Sequence, residues 1–266
     1  MDTNKPNKTI ATTGSNVLGA ARTSFTKPIF EVCAFNIQSA IIAQQAGAAR
    51  VELCDNPVEG GTTPSYGCIK VTRAKITIPL YPIIRPRAGN YWYDNNEMEL
   101  IHQDILICKT LGCDGISVGV QTINGEIDID KLSKMVSWAY PMGVTCNRVF
   151  DATPDPFKAL EDIIASGCER ILSSGQQTSA TDGAGLLRQL IDKAAGRIII
   201  MPGAGINSSN ITKLYQQTSA AEFHGSARKL IGNPVSFTNN LVTDFGQQYI
   251  ADQEELGKII AMLQIA

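Results

Sequence analysis

Eight short β-rich runs recur along this chain, each closing on polar or glycine residues and each followed by a helix-like segment. They are Phe30–Phe35, Arg50–Asp55, Pro79–Pro86, Gly115–Val120, Gly143–Asp151, Arg170–Gly175, Ile198–Gly205 and Ala221–Ser226. Each interval between them holds one helix and two loops, the content of a βα unit. Ile37–Gly47 reads as the first helix, Glu97–Leu111 as the third and Phe157–Ser166 as the fifth. Gly47, Gly112 and Gly167 are their stops, because glycine supplies the left-handed residue that ends a helix. Eight consecutive units predict an α/β fold of one domain, a (β/α)8 TIM barrel. Residues 28–232 give roughly 205 positions, at the compact end for that architecture. A doubly wound open sheet is the alternative, weakened because no dinucleotide fingerprint follows the first run.

The domain is expected to span 28–266, with 233–266 as a closing segment in which Glu254–Leu263 reads as helical. Residues 1–27 lack hydrophobic periodicity and are rich in Thr, Asn, Ser, Ala and Gly, so they read as a mobile tail. Their arginine content is too low for a convincing transit peptide.

Charge narrows the function classes. With 23 Lys+Arg against 25 Asp+Glu, the net charge is −2. That gives no footprint for nucleic acid or an anionic membrane. No apolar run approaches the ~18 residues of a membrane span. The seven cysteines are Cys33, Cys54, Cys68, Cys108, Cys113, Cys146 and Cys168. An odd number, no close CxxC pair and no signal-peptide pattern predict reduced thiols in a cytoplasmic protein.

In a barrel of this kind the active site forms at the C-terminal ends of the strands. Residues two apart share a strand face, so Glu31 goes with Cys33, Glu52 with Cys54 and Glu222 with His224. Barrel interiors favour Val, Ile and Leu, so this polar set is unusual. A carboxylate buried without a partner costs several kcal/mol. These groups therefore pair with Arg85, Arg87 and Arg148, or they point outward. An ion-pair network bracing the barrel is the plain reading, and a ligand site at the mouth is the functional one. Gly203, Gly205 and Ser226 close the last two units, whose loops often form a phosphate site in this fold. Cys33 and Cys54 close adjacent strands about 4.8 Å apart. Two thiolates suit a soft monovalent ion such as Cu(I) better than tetrahedral zinc. Two ordinary buried thiols are the alternative.

Several of these pieces resemble one family when read in order. They are Glu31-Val32-Cys33, Ala49-Arg50-Val51-Glu52-Leu53-Cys54, Glu59-Gly60-Gly61-Thr62-Thr63-Pro64-Ser65, Ile84-Arg85-Pro86-Arg87 and Asn147-Arg148-Val149-Phe150-Asp151. Ser174-Gly175-Gln176, Met201-Pro202-Gly203-Ala204-Gly205 and Glu222-Phe223-His224-Gly225-Ser226-Ala227-Arg228 complete the set. The chain resembles the CutC, or copper homeostasis, family over roughly residues 30–232. The resemblance implies a TIM barrel, a cytoplasmic homodimer or higher homo-oligomer, and a role in copper handling. It implies Cu(I) ligation by Cys33 and Cys54. One departure is Asn147, where the family usually carries a histidine; Asn147 cannot ligate a metal as imidazole or move protons near neutral pH. A smaller one is Ala88, where a glycine-like position is common.

Two functions compete. One is copper homeostasis through the cysteine pair. The other is an isomerase, epimerase or lyase acting on a small anionic, phosphorylated or sugar-like substrate. There Arg85, Arg87, Arg148, Gly203, Gly205 and Ser226 would bind the anion. Glu31, Glu52, Glu222 and His224 would move protons. A barrel that binds a metabolite or a protein partner without turnover is a third class. No nucleotide cofactor is expected.

Overall fold

The computed structural model describes residues 27–232, 234–237, 239, 241 and 247–265. Apart from Lys27, the predicted tail lies outside them. Eight parallel strands stand inside the eight runs read from the sequence. They are β1 (Ile29–Ala34), β2 (Arg50–Leu53), β3 (Leu80–Pro82), β4 (Gly115–Val118), β5 (Gly143–Cys146), β6 (Arg170–Ser173), β7 (Ile199–Pro202) and β8 (Glu222–Gly225). The helices that follow the first seven are α1 (Ile37–Gln45), α2 (Tyr66–Lys75), α3 (Asn95–Thr110), α4 (Ile129–Ala139), α5 (Pro156–Ser166), α6 (Ala184–Ala194) and α7 (Ile211–Thr218). Side-chain caps start several of them. Asn36 accepts from the Ser39 amide, Ser65 from Cys68, Asp128 from Lys131, and Asp155 from Phe157 and Lys158. These caps satisfy amides that a helix start leaves unpaired. Gly47, Gly112 and Gly167 all take positive φ at the helix ends, as their stop role requires.

The strands form two four-stranded sheets, ordered β3-β2-β1-β8 and β4-β5-β6-β7. An Ile83–Ser117 bridge joins them at the β3–β4 seam. At the other seam β7 lies beside β8, with no ladder between them among the described residues. The result is the expected α/β barrel. The eighth unit carries an insertion: β9 (Arg228–Leu230) pairs antiparallel with β10 (Tyr249–Ala251) before α8 (Gln253–Ile265). That helix packs against α1 and α7 and so covers the β8–β1 side.

Alternation settles which face of each strand is the barrel interior. Phe30, Val32, Val51, Leu53, Ile116, Val118, Val144, Ile171 and Phe223 are buried in the apolar layer between strands and helices. The intervening residues, Glu31, Cys33, Arg50, Glu52, Thr145, Arg170, Glu222 and His224, therefore point into the barrel. This inverts the usual layering: the outer layer is the hydrocarbon core, and the centre is polar.

Candidate functional site

The polar centre is built in tiers from the barrel floor to its mouth. At the floor, the Tyr81 ring occupies space left by two glycines. A Cβ on Gly115 would lie 2.0 Å from Tyr81 Cε1, and one on Gly143 would lie 2.5 Å from its hydroxyl. Arg50 and Arg170 rest against this ring, 5.2 and 5.6 Å from its centroid, a cation–π arrangement. The Tyr81 hydroxyl donates to Glu169 Oε1 at 2.8 Å. Burial and the Glu169 charge push the phenol up to about 12.

Above the ring, four strands are tied through charge. Arg50 Nη2 donates to Glu222 Oε2 at 2.6 Å, and Arg170 Nε donates to the same oxygen at 2.7 Å. Arg50 Nε donates to Glu31 Oε2. Arg170 also reaches Glu169 and Thr145. The carboxylates are thus paired, but with Arg50 and Arg170. The expectation that Arg85, Arg87 and Arg148 would neutralise them is corrected. The physical reason is tier: Arg50 and Arg170 start their strands and share a face with Glu52 and Leu172, whereas the other three arginines lie past strand ends.

The next tier gathers titratable side chains. His224 Nδ1 lies 2.7 Å from Glu31 Oε1, and its Nε2 lies 3.6 Å from Glu52 Oε2. Burial disfavours the imidazolium, yet Cys33, Glu31 and Glu52 hold His224 well above the usual histidine value. Burial would raise Glu31, but Arg50 and His224 bring it down to about 2. The Cys33 and Cys54 sulfurs are 3.7 Å apart. Cys54 Sγ donates to Glu52 Oε2 at 3.5 Å. The contact with Cys54, aided by His224, holds Cys33 below the usual thiol value. Burial pushes Cys54 well above it, so the outer thiol of the pair ionises first. Cys33, Glu52 and Cys54 each offer one donor atom, all within 4.8 Å of one another.

This tier opens into a cavity of about 590 Å³ at the C-terminal mouth. Cys33, His224, Arg148, Gly205, Ser226 and Arg228 are among its walls. Ala204 and Gly205, after β7, take consecutive positive φ of 81° and 73°. The amides of Ala204, Gly205 and Ile206 have no hydrogen-bond partner among the described residues. Arg148 donates to Asp151 and Ser174, both at 2.8 Å. Arg228 lies over Phe35 and Tyr249 and donates to the Pro57 carbonyl. Gly203 sits below the mouth, where a Cβ would meet Leu172 Cδ1 at 2.5 Å and crowd His224.

The remaining candidates are placed elsewhere. Arg85 is buried and donates to the carbonyls of Glu59, Gly61 and Gly89. It holds the loop that covers Cys54, since a Cβ on Gly61 would lie 3.4 Å from Cys54 Sγ. Arg87 bonds Glu97 and the Trp92 carbonyl. Neither arginine lines the mouth cavity. Asn147 accepts from the Val149 amide, and its buried Nδ2 has no partner. Arg50, Arg170 and Tyr81 were missed as interior residues. Parity was the available signal, since Arg50 shares its face with Glu52.

A model of the CutC family matches residues 28–229. The chain belongs to the CutC family. A CutC family protein of Chromobacterium violaceum is 45% identical over 209 residues, 79% of this chain and 85% of the relative. Among solved structures, a protein named for copper homeostasis, CutC of Streptococcus agalactiae, superposes with a TM-score of 0.71 at 32% identity. That match covers 75% of this chain and 98% of the other. Phosphoribosylanthranilate isomerase from Thermotoga maritima matches at TM-score 0.57 and 12% identity, covering 90% of this chain and 100% of the other. At that identity the likeness concerns the barrel fold alone. No helix among the described residues is long and apolar enough to cross a membrane.

Proposed function

We propose that this CutC family chain binds Cu(I) as cargo in copper homeostasis, through Cys33 and Cys54 at the mouth of the barrel. The observation that carries this reading is the donor set Cys33, Glu52 and Cys54 within 4.8 Å. Two sulfurs 3.7 Å apart suit a soft, low-coordinate ion. The fit extends to charge: Cys33 is already held low, and His224 stands beside it as a cation. Cys54 is held high by burial, so metal binding at this pair releases a proton. The reading includes a cytoplasmic setting, where all seven cysteines remain free as they are here. It also includes a homodimer or higher homo-oligomer.

The cavity favours a second reading, an enzyme of the isomerase, epimerase or lyase type on a small anion. Arg148, Arg228, Ser226 and the unpaired amides after β7 would hold the anion. His224, Glu31 and Glu52 stand at the cavity floor to move a proton. Glu222 is committed to Arg50 and Arg170, which makes it a brace for this site. No nucleotide cofactor enters either reading.

An anaerobic Cu(I) titration against a chromophoric chelator tests the first reading. Stoichiometric uptake by the native chain, lost in Cys33→Ser/Cys54→Ser, is the expected result. Uptake indifferent to the two serines would sink the copper site and return the mouth to its anionic ligand.

A further inference from the structure

The cysteine pair is asymmetric in a way that metal binding does not require. Cys33 is partly exposed and lines the mouth cavity, while Cys54 is only 2% exposed. Cys54 lies behind Gly61, in a loop pinned by Arg85. A small reagent entering the cavity meets Cys33 first. The sulfurs are 3.7 Å apart in van der Waals contact. A disulfide needs about 2.05 Å, so closing it asks for a sulfur movement of about 1.7 Å. Glu52 accepts from the Cys54 thiol, which places a proton acceptor on the inner sulfur.

We propose that Cys33 and Cys54 form a thiol–disulfide couple that reduces small hydroperoxides, with Cys33 as the reacting thiol and Cys54 as the resolving thiol. In the first step Cys33 sulfur attacks the outer peroxide oxygen and the O–O bond breaks. The alkoxide or hydroxide leaves with the thiol's proton as an alcohol or water, and Cys33 becomes a sulfenic acid. In the second step Cys54 sulfur attacks Cys33 sulfur. The S–O bond breaks, and the hydroxide leaves as water with the Cys54 proton, relayed by Glu52. Two thiols are oxidised and one peroxide is reduced. A dithiol reductant would return the pair to its starting state. The couple does not depend on copper binding. Were both to operate, metal and disulfide would exclude each other, because both use the same two sulfurs.

The test uses the full-length, reduced, metal-free chain and one equivalent of hydrogen peroxide. The native protein should lose the mass of two hydrogens. Peptide mapping after acid quench should show a Cys33–Cys54 disulfide, with the other five thiols intact. Cys33→Ser should slow thiol loss by about tenfold or more, since the remaining cysteines are buried except Cys68, whose thiol is held above the usual value. Cys54→Ser should stop at a Cys33 sulfenic acid that dimedone captures. Glu52→Gln should let the same sulfenic acid accumulate before the disulfide forms. A native protein whose Cys33 proceeds to sulfinic acid with Cys54 still a thiol would overturn the proposal. So would oxidation that ignores Cys33. Because no metal is present, a failed copper titration leaves this outcome unaffected.

Discussion

Tyr81 shows how one side chain sets conditions for a whole barrel floor. Its ring fits because Gly115 and Gly143 lack side chains, and its hydroxyl is spent on Glu169. The folded chain holds this phenol at about 12, against the usual 10.0. The sign follows from linkage: a raised folded pKa favours the protonated form in the native state. Its stabilisation is complete below pH 10.0 and is lost as pH rises to about 12. Chemical denaturation across that window should show stability falling with pH, and Tyr81→Phe should flatten this part of the slope. A slope unchanged in the variant would mean that Tyr81 is not the titrating group. The same scale explains what was legible at Asn147. The sequence identifies a residue unable to serve as an imidazole. That its Nδ2 is buried without a partner depends on neighbours distant in the chain.

Helix α3 illustrates the element scale. Asp94 accepts from the Glu97 amide at 2.9 Å, and Glu97 accepts from the Asp94 amide at 3.0 Å. This capping box satisfies two donors at the helix start. Glu97 also takes Arg87, so the loop after β3 and the helix that follows share one carboxylate. Asp94→Ala should cost about 1 kcal/mol, read as a lower denaturation midpoint with faster amide exchange in the first turn of α3. Exchange unaltered there would argue that the Arg87–Glu97 pair alone fixes the helix start. Helix stops were readable because glycine at positive φ is a local requirement. The reach of Arg87 to Glu97 was not, because a long side chain can serve either a ligand or a neighbouring helix.

Across the whole molecule, Glu222 on β8 binds Arg50 on β2 and Arg170 on β6. One carboxylate therefore spans the barrel and joins both four-stranded sheets. It does so where β7 and β8 share no ladder among the described residues. Glu222→Ala would leave two buried guanidiniums short of an anion, at a cost of roughly 3–5 kcal/mol. Urea denaturation measures this directly. A loss below about 1 kcal/mol, the scale of an exposed pair, would mean that water takes the place of the carboxylate. This bracing also separates roles inside the polar centre. The lower tier is closed by its own ion pairs, and only the tier of Cys33 and His224 meets the mouth cavity.

The number, order and type of the barrel's elements follow from the sequence alone. Periodicity, turn glycines and cap residues act within a few positions of one another, so eight βα units could be read without knowing where they pack. Strand parity likewise placed Glu31 with Cys33, Glu52 with Cys54 and Glu222 with His224, and adjacent strand ends placed Cys33 near Cys54. Tertiary structure decided which cation answers each carboxylate. Arg50 and Arg170 meet Glu31 and Glu222 inside the barrel, at chain separations that no local pattern encodes. It also decided that Arg85 and Arg87 hold loops while Arg148 faces the cavity. An arginine's charge fixes its need for a partner, but only the packed fold determines which oxygen comes within reach.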